Sequence, residues 1–396
     1  MTSSFTRPVW AEISRSRLLH NFHLLQSLAT PDLELMAVVK ANAYGHDLEL
    51  CAPWLAEAGA RWLGVTSTTE GVDARALCPD QRIFIMSSLW HQEAEAVLEH
   101  KLTPSVWERF QLEMLSSATR QARLPAQSIA VHLEIDTGMS RQGLLWNDIA
   151  EGILTFFEPS SPLRLEGVMT HFHSPEEMDS SATIEQISRF ETATDTIFAN
   201  GLKPAYLHAG NSATLLTGHG LGRLRTLAAK HSTQLMLRTG IALYGYTPEY
   251  TSSVLPRLRD AKNRFEPVLS LKSRVVSLRT ISKGDTAGYN ASFQATQVTR
   301  LALLPIGYAD GLSRRLSNQG YALIRGQRAP IAGRISMDQT ILDVTSIPDA
   351  AIGDEVVLLG EQGSERITAE DLAQQCQTIP WEVLTSIAHR VRRTPS

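Results

Sequence analysis

The chain has 396 residues, 43% of them hydrophobic and 20% charged, with a formal net charge of -4; this is a globular composition, too long for one small domain. Its Lys and Arg residues are scattered rather than clustered, so no basic stripe points to nucleic acid, and a small-molecule partner is the better expectation. Cys51, Cys78 and Cys376 fall outside any CxxC or Cys/His ligand spacing and give neither a disulfide framework nor a zinc site, reading instead as thiols of a reducing compartment.

In chain order, the opening MTSSFTRPVW lacks the basic start and apolar stretch of a signal peptide. No apolar run reaches the roughly 18 residues that span a bilayer. A cytoplasmic protein is expected. An N-terminal strand at 5–13 precedes a long region, from about residue 34 to 240, in which short β-branched runs alternate with amphipathic stretches. The eight runs are 33–40, 61–65, 82–86, 102–106, 128–136, 164–171, 205–209 and 234–240. Helical patterns such as DLELCAPWLAEAG, HQEAEAVLEHK and SATIEQISRFETATDTIFANG lie between them, the last ending at Gly201 as a left-handed cap.

Eight βα units in this length predict an α/β fold with a (β/α)8 TIM-type barrel over 14–246, although counting alone leaves a doubly wound sheet open. Residues 247–262, with TPEYTSS and prolines, read as a linker. From 263 to 396 the pattern changes to short alternating strands such as VLSLKSRVVSLRTI, RLALLPIG, YALIRG and EVVLLG, broken by KGD and IGD turns and one helix around 368–376. This predicts a mostly β C-terminal domain, joined by strand 5–13.

Barrel enzymes carry their active sites at the C-terminal ends of the strands. Lys40 closes the apolar run MAVV there; a buried lysine is costly unless paired, neutral or covalently used, and desolvation makes it a good amine nucleophile. A lysine snorkelling out of the barrel mouth is the other reading. The fifth run ends in a turn where Arg141 follows Gly138 and can reach an anion, and the sixth ends at His171. The turns GNSA around Ser212 and RTGI around Arg238, Gly240 and Ile241 are small enough to cradle a phosphate. HFHSPEE offers no third metal ligand at a defined spacing, so no metal is expected. The Gly-flanked AGYN, IGYADG and GRISMDQ segments suit tight turns or a surface facing a ligand, and the residues alone do not choose.

VVKANAYGHD, DTGMSRQG, THF, GNSA, RTGIALYG, IGYADG and GRISMDQ together resemble the alanine racemase family in order and spacing, from about residue 7 to 393. The resemblance implies pyridoxal 5′-phosphate (PLP) as cofactor and a homodimer in which one subunit's β domain completes the other's active site. It implies that Lys40 holds PLP as a Schiff base and exchanges the Cα proton on one face, while Tyr289 of the second subunit does so on the other; racemisation needs a base on each face. Arg238 then faces the pyridine nitrogen, supported by His171, while Tyr44, Ser212, Gly240 and Ile241 match phosphate-binding positions. Arg141 meets the cofactor's phenolic oxygen and the substrate; Tyr308, Met337 and Asp338 line the substrate pocket and favour a methyl-sized side chain, with serine as a minor substrate. The activity implied is L-alanine to D-alanine interconversion, supplying D-alanine for peptidoglycan.

Three positions depart from the family pattern. Glu134 stands where many members carry a lysine carbamate, and is expected to supply that negative charge to Arg141 directly. Ser336 replaces a frequent cysteine. His389 replaces a tyrosine of the phosphate region, which predicts pH-sensitive cofactor affinity. Alternatives are a racemase of broader specificity and a non-catalytic PLP-binding barrel; the β domain with its GYN and SMDQ segments argues against the second.

Overall fold

The computed structural model describes residues 7–149, 151–177, 180–248 and 264–396. The expected linker 247–262 lies outside the described residues from 249 onward. The chain divides into two compact units. One comprises Leu18–Ala43 and Leu48–Glu266; the other comprises the N-terminal residues through Arg17, Tyr44–Asp47 and Pro267–Ser396.

In the chain's order of strands, β1 (Val9–Ile13) precedes eight parallel strands of the first unit. These are β2 (Leu33–Val38), β3 (Trp62–Val65), β4 (Arg82–Ile85), β5 (Thr103–Val106), β6 (Ile129–Asp136), β7 (Leu163–Met169), β8 (Tyr206–Asn211) and β9 (Gln234–Thr239). All eight coincide with the apolar runs, including the weak run holding Pro104. β9 pairs with β2, and β5 pairs with β6. The sheet therefore closes, and the doubly wound alternative is excluded. Helices such as Leu48–Glu57, Arg109–Gln121 and Ala182–Ala199 follow the strands, the last ending beside Gly201 at φ +83°.

Contacts between strands that do not pair fix the interior. The Trp62 and His132 rings lie 5.6 Å apart, and Phe84 and His208 5.1 Å apart. These rings come from opposite sides of the barrel. Because side chains alternate faces at period two, even-numbered positions of these strands recur inward: Met36, Phe84, His132 and Glu134, His208, and Met236 with Arg238. Apolar Met36, Trp62, Phe84, Met169 and Met236 fill the middle. Polar residues gather above and below that layer.

The second unit is mostly β. β10 (Leu269–Arg274) pairs antiparallel with β1, which also pairs parallel with β17 (Arg392–Pro395). The other described strands include β11 (Ser277–Ile281), β12 (Thr299–Leu304), β13 (Tyr321–Ile324), β14 (Gln327–Pro330), β15 (Thr340–Asp343) and β16 (Glu355–Gln362). One sheet has the order β14-β13-β16-β10-β1-β17 and another β11-β12-β15. β1 alternates buried and half-buried residues, as a strand with one covered face must. Among the described residues no helix is long and apolar enough to cross a membrane.

Candidate active site

Lys40 stands half-buried, two residues beyond β2. Burial pulls its ammonium below the ordinary lysine range, helped by the charges of Arg141 and Arg238 and opposed by Glu70. Immediately after it, Ala41, Asn42, Ala43 and Tyr44 all hold positive φ of 52–54°. A left-handed turn of L-residues costs roughly 1–2 kcal/mol per residue, so it persists only when pinned. Glu70 pins it by accepting from the Ala41 amide at 2.7 Å while holding Thr66 N at 2.8 Å, and Asn42 Oδ1 accepts from Leu48 N at 2.7 Å. Tyr44 itself is buried, which pushes its phenol above the usual range.

Arg238 is buried and fully occupied on its inner side. Its Nη2 donates to Thr170 O at 2.8 Å and His171 Nδ1 at 3.1 Å; its Nη1 donates to His208 O at 3.1 Å and His208 Nδ1 at 3.2 Å. Burial pulls the guanidinium down to about 10, so it stays cationic near neutral pH. Burial and the Arg238, Arg141 and Lys40 charges drop His171 to about 3. A neutral His171 is what lets Nδ1 accept from an arginine that can only donate.

The Ser212 hydroxyl accepts from Gly240 N at 3.0 Å and so ties the ends of β8 and β9 together. Asn211 caps the short helix that begins at Ser212, accepting from Ala213 N at 2.9 Å. Gly210 is required there: at φ +89°, a Cβ would lie 2.6 Å from Thr214 Oγ1. Ile241 is buried beside them.

On the turn after β6, Asp136 Oδ1 accepts from Gly138 N at 2.8 Å and Ser140 N at 3.1 Å, which delivers Arg141 to the exposed rim. Glu134 is buried, and burial raises its carboxyl to about 7 against the opposing pull of Arg238, Gln142 and Arg141. Its hydrogen bond comes from Gln142 Nε2 at 2.7 Å. Arg141 acts on it through space.

The first unit thus brings Lys40, Glu134, Arg141, His171, Ser212, Arg238, Gly240 and Ile241 to the C-terminal ends of its strands. Positive groups outnumber carboxylates there, and the Ser212 hydroxyl and the N-terminus of the helix it opens stand beside them. That donor set fits a phosphorylated, phenolate-bearing cofactor. Among the described residues, no group of three or more His, Cys, Asp or Glu is arranged to hold a metal ion.

The remaining expected residues lie on the second unit, on loops zipped to one another. Tyr308 N donates to Ser336 O and Ala309 N to Met337 O, each at 3.0 Å. A Cβ on Gly307 would sit 2.3 Å from Ser336 O, so only glycine permits this approach. Arg390 bridges buried Asp310 and exposed Asp338, each at 2.7 Å, next to exposed His389. Asn318 joins the third loop, accepting from Gly333 N at 2.6 Å and donating to Ser292 O at 3.0 Å. Tyr289, Tyr308 and Met337 are 65%, 41% and 53% exposed.

Sequence reading overlooked Glu70, Gln142, His132 and Glu166. Charged or imidazole residues at alternate positions within otherwise buried strands were the available signal for the last two. Glu70 sits on a helix, where a single carboxylate reads as surface.

Profiles of the Alanine racemase N-terminal and C-terminal domains match residues 13–248 and 268–395. The alanine racemase of Sorangium cellulosum is 39% identical over 396 residues, covering 98% of this chain and 98% of that one. That of Halothermothrix orenii is 36% identical over 395 residues, covering 99% and 98%. Among solved structures, the alanine racemase of Clostridium difficile superposes with a TM-score of 0.87 at 30% identity, covering 99% of this chain and 97% of that one. The Bacillus anthracis enzyme with bound L-Ala-P gives 0.87 at 29% identity, covering 100% and 96%. With both domain profiles matched in order and full-length relatives above a third identity, the chain belongs to the alanine racemase family.

Proposed function

We propose that this protein interconverts L- and D-alanine by proton transfer at Cα between two bases, Lys40 and the Tyr289 of a second copy of the chain. The observation that carries the reading is Lys40 itself: half-buried on a pinned left-handed turn, with its ammonium lowered by burial beside Arg141 and Arg238. PLP, when bound, supplies the electron sink that makes the Cα proton removable.

Lys40 holds the cofactor, and Tyr44, Ser212, Gly240, Ile241 and His389 contribute to its phosphate site. Arg238, held by His171, His208 and Thr170, would face the pyridine nitrogen as a cation that does not give up its proton near neutral pH. Arg141 serves the phenolic oxygen and the substrate carboxylate, under the charge of Glu134. Tyr289, Tyr308, Met337 and Asp338 come from the partner copy, which makes a homodimer the working form. Their exposure on zipped loops supports a surface that another subunit covers. A Met and Tyr wall favours a methyl side chain. The bound L-Ala-P of the Bacillus anthracis relative supports alanine over larger substrates. Three buried cysteines, none of them in a disulfide, suit a cytoplasmic enzyme making D-alanine for peptidoglycan.

The test follows optical rotation of either alanine enantiomer with PLP present. Tyr289→Phe lowers kcat by about 10²- to 10⁴-fold, the usual worth of one acid–base group, and leaves the absorption of the Lys40-bound cofactor in place. Full activity in that variant removes the two-base assignment, and no racemisation by the wild type removes the function.

A further inference from the structure

Beneath Arg238 a continuous hydrogen-bonded chain crosses the barrel interior. Arg238 Nη1 lies 3.2 Å from His208 Nδ1, His208 Nε2 lies 2.8 Å from His132 Nδ1, and His132 Nε2 lies 3.3 Å from the Glu166 carboxylate. Both histidines are fully buried. Glu166 is held from its other side by Arg82, and by Arg164 at 3.1 Å. The chain therefore runs from β9 through β8 and β6 to β7, ending near Arg82 at the start of β4.

The two ends dictate its polarity. A guanidinium only donates, and an ionised carboxylate only accepts. Burial would raise the Glu166 carboxyl, but hydrogen bonds from His132 and Arg82 outweigh it and hold it at about 2. Burial keeps His132 and His208 below the ordinary histidine value, so each ring carries one N–H. With an acceptor at one end and a donor at the other, a single arrangement satisfies every contact. His132 gives Nε2–H to Glu166 and accepts at Nδ1; His208 gives Nε2–H to His132 and accepts at Nδ1 from Arg238.

We propose that Glu166 is a positioning residue for Arg238: through His132 and His208 it fixes both imidazoles as Nε2–H tautomers, so that His208 presents a lone pair to the arginine. If His208 carried its proton on Nδ1 instead, two donors would face each other and Arg238 would be pushed from its place. Polarised toward a fixed anion, the chain also favours the cationic form of Arg238 from below, where solvent cannot. The consequence for catalysis rests on the reading that Arg238 faces the cofactor's pyridine nitrogen. The tautomer assignment does not.

Magic-angle-spinning 15N spectra of histidine-labelled holoenzyme test this directly. The expected pattern is an unprotonated Nδ1 and protonated Nε2 on both rings, with a contact between His208 Hε2 and His132 Nδ1 identifying the pair. A protonated Nδ1 on either ring overturns the proposal. Glu166→Leu, which removes the terminal acceptor, is expected to lose the single-tautomer pattern and shift the visible band of the bound cofactor. Glu166→Gln, whose Oε1 still accepts, is expected to restore both. A folded Glu166→Leu protein with wild-type tautomers and spectrum sinks the idea; if that variant does not fold, the wild-type tautomers decide. Holoenzyme that shows the tautomers but racemises nothing retains the chain and loses the functional reading.

Discussion

Glu134 Oε2 accepts from Gln142 Nε2 at 2.7 Å, and the same amide donates to the Met86 carbonyl at 3.0 Å. Gln142 thus fixes the carboxylate to the end of β4 while leaving its charge to act on Arg238 and Arg141 through space. On the proposed function this carboxyl, anionic above about pH 7, takes the place of a CO₂-derived group.

Racemisation is therefore expected to be unchanged when bicarbonate is stripped from the buffer. Glu134→Gln lowers kcat/KM by roughly 10- to 100-fold, matching the 1.5–3 kcal/mol of one charged partner. Because the carboxyl sits at about 7, its charge is lost as pH falls through that value. The wild-type kcat/KM should decline below about pH 7, and the Gln variant should lack that inflection; an inflection retained in Glu134→Gln refutes the assignment.

Three histidines held below the ordinary value make stability acid-sensitive. His132, His171 and His208 all have folded values below 6.5, so their contribution is complete above pH 6.5 and is lost as pH falls toward the folded values. Glu134 acts in the opposite sense, since its raised carboxyl contributes below 4.5 and loses that contribution as pH rises through about 7. Between pH 6.5 and 4.5 three histidines outweigh one carboxyl, so stability should fall with acidification by at most about 2.7 kcal/mol per pH unit, two protons' worth. Urea midpoints measured across this window check it, and His171→Asn should flatten the slope by up to about 1.4 kcal/mol per unit.

Glu70 couples the left-handed turn to the Lys40 amine. Glu70→Gln keeps one acceptor oxygen but loses the negative charge, so the turn is weakened by about 1–2 kcal/mol. Since Glu70 raises the Lys40 value, its removal lowers that value further. The pH profile for PLP capture by the apoprotein should move to lower pH. A profile that stays in place, with stability also unchanged, argues that Glu70 serves neither the turn nor the lysine.

The eight strands were legible because each must bury one or both faces, and burial writes itself into β-branched runs whatever the neighbours are. Even the poor run holding Pro104 became β5, since its position between two strong units left it one place in the sheet. The left-handed turn was not legible: Ala-Asn-Ala-Tyr carries no glycine, and only Glu70 and Asn42, satisfied in three dimensions, make its positive φ tolerable. Glu134 was marked from the motif as a charge near Arg141. Its direct partner, Gln142, became visible only from side-chain geometry.

The sequence by itself determined where the eight strands lie along the chain and the motif set, and it placed Lys40 at the end of an apolar run. What only tertiary structure decided is closure. Pairing of β9 with β2 turns alternate residues of strands far apart in sequence toward one interior. Arg238, His208, His132 and Glu166 lie on four different strands, and no spacing along the chain predicts that their lone pairs and protons meet in one direction. Register and closure fix those distances to a few tenths of an ångström, and hydrogen bonds depend on nothing coarser.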